Sequence, residues 1–136
     1  MSTGSCFCGA IQIEFTGEPQ GKVLCHCRDC HKISGSVFST NILVPKDSFK
    51  TTKGKPKTIA KKADSGKEIT SYFCGDCGTT LYRLGDWNPT GVIIKAGVLD
   101  DVDHLTNGKP GVELFAPSRM PWISQVDGSD EKAAMP

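Results

Sequence analysis

A chain of 136 residues with 38% apolar composition is long enough for one compact domain with a core and too short for two comfortable ones. A formal net charge of +1 supplies no global field for a nucleic acid or a membrane surface, so neither is an expected partner. The opening "MSTGSCFCGA" has no basic or apolar leader region, and no apolar run is long enough to span a bilayer, so a soluble cytoplasmic protein is the expectation.

In chain order, "AIQIEF" alternates Ile11, Ile13 and Phe15 with polar residues, the period-two pattern of a half-buried strand. "KVLC", "VFSTNILV", "KTIAKK", "EITSYF", "TTLYR" and "GVIIKAGVL" follow as further short runs rich in β-branched and aromatic residues. Between them "TGEPQG", "VPKD", "KGKP", "DSGK", "GDWNPTG" and "NGKPG" supply the Gly, Pro, Asn and Asp that reversals need. No stretch holds a 3.6-residue apolar period over three turns, so only short helical turns are expected, around residues 27–34 and 99–103. The fold class is therefore mainly β, built of short antiparallel strands. A single domain is expected over residues 1–126, with 127–136, "DGSDEKAAMP", as a flexible tail.

Residues 50–67 hold seven lysines and one acid, Asp64, and read as a solvated hairpin turning at "DSGK", a composition that protects a sheet edge. Near the C-terminus Phe115, Trp122 and Ile123 read as core residues or pocket walls on an extended stretch stiffened by Pro117 and Pro121.

Cysteine sets the sharpest constraint. Seven cysteines in a chain expected in a reducing compartment point to metal rather than to disulfides. They fall as Cys6 and Cys8, then Cys25, Cys27 and Cys30, then Cys74 and Cys77, and a bridge within C-x-C would be strained. Gly9 and Gly78 each follow the second cysteine of an outer pair, where a tight knuckle requires positive φ. Each outer pair supplies half of a tetrahedral shell, so Cys6, Cys8, Cys74 and Cys77 together make a closed structural zinc site. Closing so long a loop with an ion offsets a large chain entropy.

Cys25, Cys27 and Cys30 remain, and an ion held by three protein ligands keeps a fourth position for water or substrate. Two other arrangements stay open: His26 or His31 completes that shell, or the sulfurs partition differently. Alternation of the backbone turns His26 away from its neighbours, whereas His31 could bend inward.

The segments "GSCFCGAIQIEF", "CHCRDCHKISGSVFS", "FCGDCGTTLY", "IIKAGVLDD" and "ELFAPSRMPWISQVDG", in this order over nearly the whole chain, resemble the family of glutathione-dependent formaldehyde-activating enzymes, the CENP-V/GFA domain family. The resemblance implies a β-tent fold, a structural zinc on Cys6, Cys8, Cys74 and Cys77, and a catalytic zinc on Cys25, Cys27 and Cys30. It also implies carbon-sulfur lyase activity, the interconversion of glutathione and formaldehyde with S-hydroxymethylglutathione. Asp127 and Gly128 match a family "DG-x-P-x-F" segment whose proline and aromatic are missing here.

Three thiolates make a zinc less Lewis-acidic than imidazoles do and a better partner for a soft sulfur, so the expected guest is a thiol such as glutathione. Arg28, Lys32 and Arg119 are candidates to receive its carboxylates, Trp122 to contact it, and His26 or His31 to move a proton. Two other classes compete with the lyase. One is a zinc-ribbon-like binding module with two structural zincs, and the other is a thiol redox enzyme on the same fold.

Overall fold

The computed structural model describes residues 1–63 and 66–134. Alternating apolar residues form strands wherever a turn brings a partner alongside, and the chain runs as β1 (Ser2–Ser5), β2 (Gln12–Phe15), β3 (Gly21–Cys25), α1 (Arg28–Ser34), β4 (Ser39–Pro45), β5 (Phe49–Lys53), β6 (Lys57–Lys62), β7 (Glu68–Phe73), β8 (Thr80–Gly85), β9 (Gly91–Lys95), α2 (Asp103–Thr106), β10 (Val112–Leu114) and β11 (Asp130–Glu131). The fold is mainly β, as the alternation predicts. Among the described residues helix is confined to α1, the four-residue α2 and single 3-10 turns. The second helical turn starts at Asp103, slightly later than expected, because residues 96–98 close a 3-10 turn instead.

Two sheets form. A three-stranded one has the order β1-β2-β5, and an eight-stranded one the order β11-β10-β3-β4-β9-β8-β7-β6. The large sheet is antiparallel from β3 to β6, whereas β10 pairs parallel with both β3 and β11. Period-two alternation gives the large sheet two unlike faces. Ile42, Val44, Tyr82, Val92 and Ile94 point to one side and pack with Ile13 and Phe15 of the small sheet and with Ile11 just before it in the main core. Asn41, Arg83 and Lys95 occupy the alternate positions and face the other way.

One part of the chain departs from expectation, and the lysine-rich segment forms the exposed edge hairpin its composition predicts. Residues from 127 were expected as a flexible tail, yet Ser129 is buried and Asp130–Glu131 pair with β10. The reason is hydrogen bonding: Asp130 N–H donates to Gly111 O (2.9 Å), Lys132 N–H to Glu113 O (2.9 Å) and Ala116 N–H to Lys132 O (3.0 Å). The lysine-rich hairpin is β6 with β7, in register from Lys57↔Phe73 to Lys62↔Glu68, and every residue of β6 is exposed. Asp64 and Ser65 of its expected turn lie outside the described residues.

Candidate metal centres and the adjoining cavity

The N-terminal and β7–β8 knuckles are built alike. Cys6 N–H donates to Ile11 O (3.1 Å) and Gly9 N–H to Cys6 O (3.1 Å); Cys74 N–H donates to Thr79 O (2.9 Å) and Gly78 N–H to Cys74 O (2.9 Å). Gly9 and Gly78 have φ of 80° and 82°, the left-handed conformation that the sequence requires of them. Amides turn toward the sulfurs, Ile11 N–H to Cys6 Sγ (3.3 Å) and Asp76 N–H to Cys74 Sγ (3.4 Å). The knuckles meet, with Cys6 Sγ 3.7 Å from Cys8 Sγ and Cys8 Sγ 3.8 Å from Cys74 Sγ. Four sulfurs set tetrahedrally at the zinc–thiolate bond length of about 2.3 Å lie about 3.8 Å apart, so this donor set fits such an ion. Hydrogen bonds from the Thr79 hydroxyl and amide pull the Cys77 thiol down to about 5, which favours the ligating form.

The second cluster is local. Cys25 ends β3, Cys27 caps α1 and Cys30 lies in its first turn, where the Cys30 N–H donates to Cys27 Sγ (3.3 Å). Their three Sγ atoms lie within 4.8 Å of one another, and among the described residues no fourth Cys, His, Asp or Glu joins them. Hydrogen bonds from Cys25 and Cys27 pull the Cys30 thiol far below its ordinary value against its burial, with the charge of Lys95 and the Ser39 hydroxyl assisting. The reciprocal hydrogen bonds to Cys27 and Cys30 push Cys25 up. The soft, all-sulfur donor set of the triplet suits a thiophilic ion.

His26 is 0% exposed and turns away from the sulfurs on either side of it. Its Nε2–H donates to Glu113 Oε1 (2.9 Å), and Glu113, also 0% exposed, accepts from Ser129 Oγ–H (2.7 Å) and Val126 N–H (3.0 Å). Burial pushes the Glu113 carboxyl up, but those donors and the nearby Arg119 charge outweigh it and hold the group at about 2. His26 is therefore a positioning residue: its imidazole anchors the Cys25–Cys27 turn to β10 from behind. His31 is also absent from the ligating group.

In front of the triplet lies a cavity of about 360 Å³, lined by all three cysteines together with Arg28, Asn41, Arg83, Trp87, Lys95 and Phe115, among others. Phe115 holds φ 54°, a left-handed conformation costly for an aromatic residue, and contributes its side chain to the wall. Lys61 and Asp29, both lining residues, form an ion pair of 2.6 Å.

Of the substrate contacts expected from the sequence, Arg28 lines this cavity; Lys32, Arg119 and Trp122 do not. Lys32 is exposed on α1. Arg119 is engaged by Glu113 of β10 (3.3 Å) and by Glu131, which the return of the chain through β11 brings alongside (3.0 Å). Trp122, expected as a core or pocket residue, is 74% exposed, because Pro121 and the turn at residues 121–123 carry it outward. Asn41, Arg83, Lys95 and Glu113 were not singled out from the sequence, since the first three stand at the polar positions of alternating runs, where solvent is the ordinary expectation, and Glu113 lies on a strand of three residues.

Fold and site together define a β-sheet protein with one four-sulfur and one three-sulfur cluster of metal-binding geometry. Its sequence matches the family model for glutathione-dependent formaldehyde-activating enzyme over residues 1–118, and the chain belongs to that family. A protein of Podospora anserina provisionally named for that enzyme is 32% identical over 60% of this chain and 38% of its own length, and one of Penicillium rubens is 33% identical over 57% and 40%. The matched region thus spans about two-fifths of these relatives. An uncharacterised lyase of Schizosaccharomyces pombe is 28% identical over 76% of this chain and 72% of its own. A crystal structure of a Rhodobacter sphaeroides protein shares the fold, with a TM-score of 0.61, 18% identity and coverage of 79% of this chain and 96% of that one. Among the described residues no helix is long and apolar enough to cross a membrane.

Proposed function

We propose that this chain is a zinc-dependent carbon-sulfur lyase that forms and cleaves adducts of a thiol such as glutathione with a small aldehyde, S-hydroxymethylglutathione being the type product. One observation carries the reading: three sulfurs gather without a fourth ligand among the described residues, and they do so at the wall of a cavity. A ligand set made only for bracing the fold has no need of a cavity beside it. The contrast with the four-sulfur cluster supports a division of labour, with Cys6, Cys8, Cys74 and Cys77 bracing the fold and Cys25, Cys27 and Cys30 holding the working ion. Zinc bound to the triplet supplies a Lewis acid that lowers the pKa of a guest thiol.

The chain's own part is placement. Cys25, Cys27 and Cys30 fix where the guest sulfur sits, the His26–Glu113 pair keeps that turn rigid, and Phe115 and Trp87 narrow the space in which the aldehyde meets it. In the forward direction a bond forms between the thiol sulfur and the carbonyl carbon, and the thiol proton ends on the carbonyl oxygen. Cleavage reverses both changes.

Exchange spectroscopy by NMR on glutathione with formaldehyde tests this. Zinc-loaded protein is expected to raise the interconversion rate at least tenfold over the uncatalysed exchange, and Cys27→Ser to return it to background with the fold intact. Failure of the wild type to exceed background would overturn the lyase. Two zincs with fully protein-derived shells would then favour the binding module, and one zinc with a reactive free thiol the redox enzyme.

A further inference from the structure

Arg83 and Lys95 are 7% and 9% exposed, and both line the cavity that holds the cysteine triplet. A buried cation is costly unless an anion or a full set of acceptors compensates it. Among the described residues the ion pairs involve Glu14, Asp29, Glu113 and Glu131, and none includes Arg83 or Lys95. Their acceptors are neutral: Lys95 Nζ–H donates to Asn41 Oδ1 (2.8 Å) and Arg83 Nε–H to Ser71 Oγ (3.0 Å). Asn41 is held for this task, its Nδ2–H donating to Ser39 Oγ (3.0 Å) and Val23 O (3.2 Å). The outer NH2 groups of Arg83 have no partner among the described residues, which leaves the planar fork that matches a carboxylate unoccupied by protein.

Register places these cations relative to the sulfurs. Cys25 pairs with Ser39 on β4, Asn41 lies two residues on and pairs with Lys95 on β9, and Arg83 on β8 pairs with Ile93, two residues from Lys95. All share one face of the sheet. Lys95 stands two strands across and two residues along from Cys25, and Arg83 three strands across and four along, so their Cα atoms lie roughly 12 and 20 Å from that of Cys25. Lys95 is close enough to feel the charge of Cys30 and so accompanies the metal centre. Arg83, one strand farther, is left for a different anion.

We infer that Arg83, flanked by Lys95, is a carboxylate-binding subsite on the cavity floor that selects acidic thiols, the sulfur lying at the cysteine triplet and a carboxylate at the Arg83 fork. This rests on the thiol reading proposed above and narrows its substrate to thiols bearing a carboxylate several bonds from the sulfur.

Calorimetry on the zinc-loaded protein tests the subsite with three probes: glutathione, its diethyl ester, which lacks both carboxylates, and S-methylglutathione, which keeps the carboxylates and lacks the thiol. Glutathione is expected to bind the wild type at least tenfold more tightly than the diester. In Arg83→Gln that preference should fall to twofold or less while the diester affinity stays within twofold. Equal binding of glutathione and diester by the wild type would overturn the subsite and leave the thiol reading standing. An equal loss for both probes in Arg83→Gln would also overturn it, since Arg83 would then only balance the charge of the metal centre. If glutathione and S-methylglutathione bind equally and both lose affinity in Arg83→Gln, the subsite stands and the thiol reading falls; if no probe binds, both fall. Should Arg83→Gln fail to fold, Arg83→Lys keeps the charge, removes the fork and provides the same comparison.

Discussion

The two cysteine clusters use the same atom and differ in what they join. Cys8 and Cys74, 66 residues apart, come within 3.8 Å through their sulfurs, so the four-sulfur cluster ties the small sheet to the β7–β8 turn. Cys25, Cys27 and Cys30 belong to one strand-to-helix turn, and their gathering closes almost no chain. Loop closure is where a cross-link gains most, so the distant cluster should carry topology and the local one should be dispensable to it. What the local cluster gains instead is an open side, because a single turn delivers three ligands and leaves a cavity where a fourth would come.

The comparison breaks most visibly by stripping the distant cluster. If the four-sulfur cluster holds zinc as proposed, Cys74→Ser or chelation should abolish cooperative unfolding in circular dichroism, since metal binding worth about 10 kcal/mol rivals the whole stability of a small domain. Cys27→Ser should keep a cooperative transition and lose one equivalent of zinc. Two variants that unfold alike would erase the distinction.

Next in size is the buttress behind the triplet. Glu113→Gln should cost about 3 kcal/mol in denaturant unfolding, because His26, Arg119 and Ser129 lose a buried charged acceptor. Its pH dependence sharpens this. The folded carboxyl sits at about 2, below the ordinary 4.5, so its contribution is full above 4.5 and lost as the pH falls toward 2. The stability gap between wild type and Glu113→Gln should therefore close across that window when both are followed by fluorescence. Trp122→Ala stands last: a side chain 74% exposed should change stability by no more than about 0.5 kcal/mol in the same measurement.

Most of the sheet and both cysteine groupings are legible in the residues because their signals are local: period-two alternation, cysteine spacing and a glycine after each outer pair. β1, "STGS", escapes notice because it has no apolar or aromatic residue to mark a buried face and takes its strand form from pairing with β2. β10 and β11 span three and two residues, too short for any pattern. The cavity escapes for a deeper reason. Alternation reports which residues share a face, but it does not say whether the polar face meets water, so Asn41, Arg83 and Lys95 read as solvent-facing until α1 and the segment after β10 cover them. Arg119 shows the converse, an arginine plausible as a ligand contact whose partners, Glu113 and Glu131, become neighbours only through a parallel pairing that the sequence does not announce.

Glu113 draws its donors from both His26 and residues 126–129, which sets an order on assembly. During synthesis the turn bearing the sulfur triplet emerges early, yet its rear support stays incomplete until residue 129 has cleared the ribosome. The nascent chain thus passes through a stage in which the turn bearing Cys25, Cys27 and Cys30 lacks its anchor to β10, and that turn should reach its final rigidity only after the C-terminal return has paired.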